Sequence, residues 1–198
     1  IKELEEKKNS NYSAPQYTII VNNLEKVATE LLATICEFMP EYTKHNIDHS
    51  LNVLKIFEKI LPDVDTLNIT ELVLLVYAAV LHDIGMVASR EEVSLIRESE
   101  EYKALLAEYQ FDVKDEEVIT EFIRRNHVKR SLDFIDKVKS SSNMYGLDFE
   151  IDSVDFSYSL KKVIYSHGID NKELYNEREY PTEILIGEDY VNIKYLCV

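Results

Sequence analysis

Five histidines, His45, His49, His82, His127 and His167, carry most of the chemistry that can be read in this sequence. His45 and His49 are four residues apart at the start of one amphipathic segment, a spacing that stacks both imidazoles on one helix face. With Ile47 at zero and roughly 100° per residue, Ile56, Ile60, Val53, Phe57, Leu61, Leu54, Ile47 and Leu51 sweep an apolar arc from about 180° round to about 40°. His49 falls inside that arc at about 200° and His45 on its rim at about 160°, so the pair is expected to line an inner cleft. His82 adjoins Asp83 where the most apolar segment ends, and a buried imidazole and carboxylate are costly unless paired or bound to a metal. His127 lies in RRNHVKRS among Arg124, Arg125, Lys129 and Arg130, the most basic stretch of the chain. His167 closes an apolar segment just before Gly168. Singly, each has an ordinary structural explanation: a hydrogen-bonded histidine at a core edge, or a solvated basic helix face. Together, imidazoles with a carboxylate suit a divalent first-row metal that keeps positions open for water.

The elements that must position these residues read as helices. Ile20, Leu24, Val27, Leu31, Ile35 and Phe38 form a stripe that ends at Pro40, and residues 46–61 form a second helix stopped by Pro62. A third, about Thr70 to His82, is apolar nearly all round and is expected at the centre of the core, with Gly85 as its C-terminal cap. Residues 91–109 read as one exposed, charge-rich helix, and 116–139 as helical on both sides of a break. The stretch 140–153 reads as a polar, acidic loop. A helix over about 156–167 follows, then an extended piece at 183–186 and a last helix from about Asp189. No segment alternates with period two for long, so the expected fold is all-α and one domain.

Composition narrows the function. The chain has 198 residues, with 22 Lys+Arg against 37 Asp+Glu, a formal net charge of −15. That charge argues against gripping long nucleic acid, an affinity that comes from neutralising phosphates with Lys and Arg. Two cysteines, Cys36 and Cys197, make neither a disulfide framework nor a Cys-rich zinc site, and a reducing, cytoplasmic setting is the default. The run Leu72 to Leu81 is about half the ~20 residues of a membrane span, so no membrane association is expected. The first 16 residues read as a flexible arm or the end of an upstream helix. The opening without Met and the closing YLCV read as a piece of a longer protein with further domains.

The order of a His in HSLNV and an HD in AAVLHDIG resembles the HD-domain metal-dependent phosphohydrolases. There the ligands are a His, a His-Asp doublet on a following helix, and a distal Asp. YTKHNIDHSLNVL, LHDIGM, RRNHVKRS and YSHG are together closest to the HD-CE type, found in large bacterial proteins of signalling and conflict systems. The resemblance covers roughly residues 41–198 and implies a single HD-type helical bundle over 17–198, short of its C-terminal end. It implies His49, His82 and Asp83 as ligands of one metal, with His127 and His167, as in HD-GYP-like proteins, holding a second that Asp83 bridges. Two departures stand out. No distal Asp is matched, and Met86 replaces the Lys of the HD-GYP proteins, which have no GYP-like counterpart here.

The activity so implied is hydrolysis of a nucleotide or small phosphoester by one or two divalent ions (Mn, Fe, Mg, Ni or Zn), which lower the pKa of water and offset phosphoryl charge. Asp83 and His45 are the catalytic candidates. Arg124, Arg130 and Lys44 are the candidates for contacting substrate, Arg because its fork matches phosphate geometry. The alternative is an HD domain without turnover that senses a nucleotide or regulates a larger protein; a plain helical interaction domain is a third, weaker reading.

Overall fold

The computed structural model describes residues 14–35, 46–61, 66–109, 113–141, 145–151, 153–170 and 172–197. It is mostly helical with two short antiparallel hairpins: α1 (Ala14–Ala33), α2 (Ile47–Ile60), α3 (Ile69–Leu81), a 3₁₀ turn (Ile84–Met86), α4 (Arg90–Glu98), α5 (Glu100–Glu108), α6 (Asp115–Ser140), β1 (Glu150–Ile151), β2 (Val154–Asp155), α7 (Ser157–Ser166), a 3₁₀ turn (Glu173–Tyr175), β3 (Ile184–Ile186), β4 (Asp189–Val191) and α8 (Ile193–Leu196). The all-α expectation holds. The N-terminal arm falls largely outside the described residues, and α1 already runs from Ala14.

α3 is the axis of the core. Asn68 caps its start, accepting from the Glu71 amide while the Glu71 carboxylate accepts from the Asn68 amide. This capping box satisfies two of the orphan donors of a helix start. Val73, Leu74, Tyr77, Ala78, Val80 and Leu81 are buried, and α1, α2, α7, α8 and β4 all pack on this one helix. The window Ile69–Met86 is apolar and long enough to cross a membrane, but 89% of it is buried inside the protein. Its apolar surface is therefore consumed by the domain's own core.

Several boundaries differ from the sequence reading. Residues 91–109 form two helices, because the Ser99 hydroxyl leaves the helical path to accept from the Tyr102 amide and starts α5. The break expected within 116–139 does not exist: α6 runs unbroken for 26 residues. Its middle holds neither Gly nor Pro, and charged residues alone do not interrupt helical hydrogen bonding. The stretch 140–153 begins with the last turn of α6 and ends in the β1–β2 hairpin. Asp189 starts a strand rather than a helix, pairing Ile184 to Val191 and Ile186 to Asp189 around Gly187, whose φ of 62° favours glycine. The arc predicted for α2 is only partly covered: Ile56 and Ile60 remain exposed, since α2 meets α1 and α3 along one side only.

Candidate metal centre

The centre is built where α3 ends. His82 still has helical angles, its amide bonded to the Ala78 carbonyl, and Asp83 then turns to φ −101°, ψ 5° and opens the Ile84–Met86 turn. Gly85 does not end the helix by a left-handed cap. It lets the turn lie against α6, where a Cβ would stand 2.0 Å from the His127 carbonyl oxygen and 2.6 Å from the Ser131 nitrogen. That contact brings His127 to the doublet. Gly168 does the same for His167, since its missing side chain would meet Val128 of α6 at 3.1 Å. On α2, Asn46 caps the helix by accepting from the His49 amide, so His49 projects from the first turn.

The four described histidines converge on one carboxylate. Oδ2 of Asp83 lies 3.0 Å from His82 Nε2 and 3.5 Å from His49 Nε2, and Oδ1 lies 3.7 Å from His127 Nε2. Ring centroids are 5.4 Å apart for His49 and His82, 5.2 Å for His82 and His167, and 5.6 Å for His127 and His167. Two ligand groups result, His49–His82–Asp83 and Asp83–His127–His167, each with donor atoms within 4.8 Å of one another and both sharing Asp83.

Hydrogen bonding fixes which nitrogen faces inward. Nδ1 of His82 is 3.0 Å from the Ala79 carbonyl oxygen, and Nδ1 of His127 is 2.6 Å from that of Arg124. A carbonyl can only accept, so each Nδ1 carries the proton and each neutral ring turns an Nε2 lone pair toward Asp83. Carbonyl partners of this kind orient ligating histidines in metal sites. Burial works against a charged His82, but the hydrogen bond and negative charge of Asp83, with the Ala79 carbonyl, prevail and raise its pKa. His167 is shifted down, first by burial and then by the neighbouring His82 ring, with His127 and His49 adding to it against the opposing pull of Asp83.

Of the other expected site residues, Arg124 and Arg130 are described. Lys44 and His45 lie outside the described residues. Arg124 gives its guanidinium to both oxygens of Glu121, at 2.6 and 2.7 Å, on the exposed side of α6. Arg130 donates from Nε to the Gly85 carbonyl and from Nη2 to the Val87 carbonyl, at 2.7 and 2.6 Å, and so holds the turn instead of facing the histidines. Ser131 is a residue that the sequence reading passed over. Fully buried, it donates to the His82 carbonyl and accepts from the Gly85 amide. Its signal was the spacing: it sits four residues after His127, on the same helix face.

The sequence model of the HD-CE family matches residues 39–198. The chain belongs to the HD-CE family. No curated protein and no solved structure matches it. As an HD-CE domain, the protein is of the HD type, whose members are generally hydrolases, and its His/Asp cluster is fit to bind a metal. The donor chemistry agrees: imidazole nitrogens with one shared carboxylate form a set for first-row transition ions, whereas Ca²⁺ and Mg²⁺ sites are dominated by oxygen.

Proposed function

We propose that this HD-CE domain is a metal-dependent phosphohydrolase that acts on a nucleotide or another small phosphoester. The observation that carries the reading is the position of Asp83, whose two oxygens face two separate sets of imidazole nitrogens. In this reading His49, His82 and Asp83 hold one divalent ion, and Asp83, His127 and His167 hold a second. Bound there, such ions supply an activated water and offset charge on the phosphoryl oxygens. The chain's part is positioning. The Ala79 and Arg124 carbonyls hold the two Nε2 atoms inward, and the buried Asp83 carboxylate supplies a fixed negative charge between them. Arg124 and Arg130 are spent on Glu121 and on the turn, so the main positive field for an anionic substrate comes from the metals. Lys44 and His45 are proposed as outer contacts on the substrate. The setting proposed is cytoplasmic, within a larger protein that carries further domains.

A second reading, a nucleotide-sensing module without turnover, is favoured by one observation. Among the described residues, Asp83 is the sole carboxylate in either ligand group. Elemental analysis of the purified protein beside Asp83→Ala, followed by a phosphatase screen over nucleotides, separates the two. One or two transition ions per chain, lost in Asp83→Ala, with phosphate release from a nucleotide, is the expected result. Metal and nucleotide binding without phosphate release leaves the sensing module. Absence of metal after reconstitution with Mn, Fe, Ni or Zn overturns the hydrolase.

A further inference from the structure

The His82–Asp83 doublet and His127 belong to different elements, and something must hold the turn after α3 at a fixed distance from α6. A serine inside a helix ordinarily returns its hydroxyl proton to the carbonyl four residues back, here that of His127. Ser131 does not. Its hydroxyl leaves its own helix, donates to the His82 carbonyl at 2.8 Å and accepts from the Gly85 amide at 2.9 Å. The two bonded residues bracket Asp83 in sequence. Beside this lock, Arg130 ties down the Gly85 and Val87 carbonyls, and no space remains between Gly85 and the His127 carbonyl.

From this we infer that Ser131 is a positioning residue for the metal centre: its hydroxyl locks the His82–Asp83 turn to the helix that presents His127. The inference rests on the metal-binding reading above and adds to it the device that sets the spacing between the two ligand groups. Because His127 and Ser131 share one face of α6, a shift of the turn along that helix breaks the lock and moves Asp83 off His127 together. A serine serving only to fill the core would affect stability alone.

The test compares Ser131→Ala, Ser131→Cys and Ile135→Val. Ile135 is equally buried one turn further along α6 and bonds nothing in the turn. Two quantities are read: amide hydrogen exchange at Gly85 in the metal-free protein, and Mn²⁺ affinity by calorimetry. Ser131→Ala is expected to speed Gly85 exchange about tenfold, the factor that one lost hydrogen bond implies. It is also expected to weaken Mn²⁺ binding by about 10- to 100-fold, the usual effect of losing an outer partner of a metal site. Ser131→Cys, keeping size but offering a weak donor, should fall between, and it carries the comparison if the alanine variant does not fold. Ile135→Val should lower the melting temperature and leave both readings unchanged. Unchanged Gly85 exchange in the serine variants overturns the inference, as does an Ile135→Val effect of equal size. If the parent protein binds no Mn²⁺, the metal reading fails, while Gly85 exchange still decides whether Ser131 holds the turn.

Discussion

At the scale of single residues, the centre is a conflict between acceptors. The Nε2 lone pair of neutral His82 faces a carboxylate oxygen 3.0 Å away, and only a proton or a cation placed between them makes that contact favourable. The two occupants compete, which gives opposite pH dependences. The raised pKa of His82 means that its protonation stabilises the metal-free fold fully below about 6.5, the unfolded value, and that this contribution fades as pH rises through the folded value. Metal binding needs the lone pair and strengthens over the same rise. The rise in melting temperature on adding Mn²⁺ should therefore be small near about pH 6 and grow toward about pH 8. A metal-induced shift that is the same at both values would remove His82 from the ligand set. The residues of this contest were legible because histidines are few, and one of them adjoins an aspartate at the end of the most apolar helix. Ser131 was legible only as a position on the His127 face; its role was not, because a hydroxyl in a charged helix reads like any other solvated position until its partners 46 and 49 residues away are known. Arg130 was read as a phosphate contact and is found on the Gly85 and Val87 carbonyls; a guanidinium suits backbone carbonyls as well as phosphate, and sequence does not distinguish the two.

Helices and turns were read by their apolar stripes, and the stripes succeed where one face is covered. α3 is apolar all round and proves central, and α2 begins and ends within a residue of its expected bounds. They fail where the deciding contact is steric or local. The division at Ser99 depends on one hydroxyl, and the continuity of α6 on the absence of any residue that stops it. Gly85 looked like a helix cap, yet its φ is not positive and its task is close approach. Gly85→Ala therefore tests the junction of α3 and α6. The new methyl would overlap the backbone of His127 and Ser131, neither of which can rotate away, so the turn itself must move. The expected cost is about 3 kcal/mol or more, beyond the usual range for one added methyl. Chemical denaturation measures it, and Mn²⁺ binding should fall with it because Asp83 moves with the turn. A variant as stable as the parent would show that the turn and α6 are further apart than described.

For the whole molecule, the architecture is a single central helix pinned at both ends. The Asp83 end of α3 is fixed to α6, and the Asn68 end is fixed by the β3–β4 hairpin from the last part of the chain. Asn68 donates to the Tyr190 carbonyl, the Thr70 hydroxyl to Asp189, and the buried Glu71 accepts from both the Asn68 and Asn192 amides. Apart from the local Asn68–Glu71 bond, these partners are more than 100 residues apart, and the strands are three residues long and depend on α3 for burial. That is why the hairpin left no periodic signal in the sequence, while the helical class and the acidic charge were evident. Glu71→Ala should orphan two backbone donors and cost about 2–3 kcal/mol, or roughly 4–12 °C of melting temperature for a domain of this size. Hydrogen exchange should quicken across residues 184–192. The metal centre lies a whole helix away, about 20 Å at 1.5 Å per residue, and its own bonds to α6 are untouched. Mn²⁺ affinity in Glu71→Ala, measured well below the melting temperature, should stay within about twofold of the parent, as distant independent sites do. A loss of affinity in step with the loss of stability would mean that the hairpin, and not the lock on α6, holds α3 in register with the histidines.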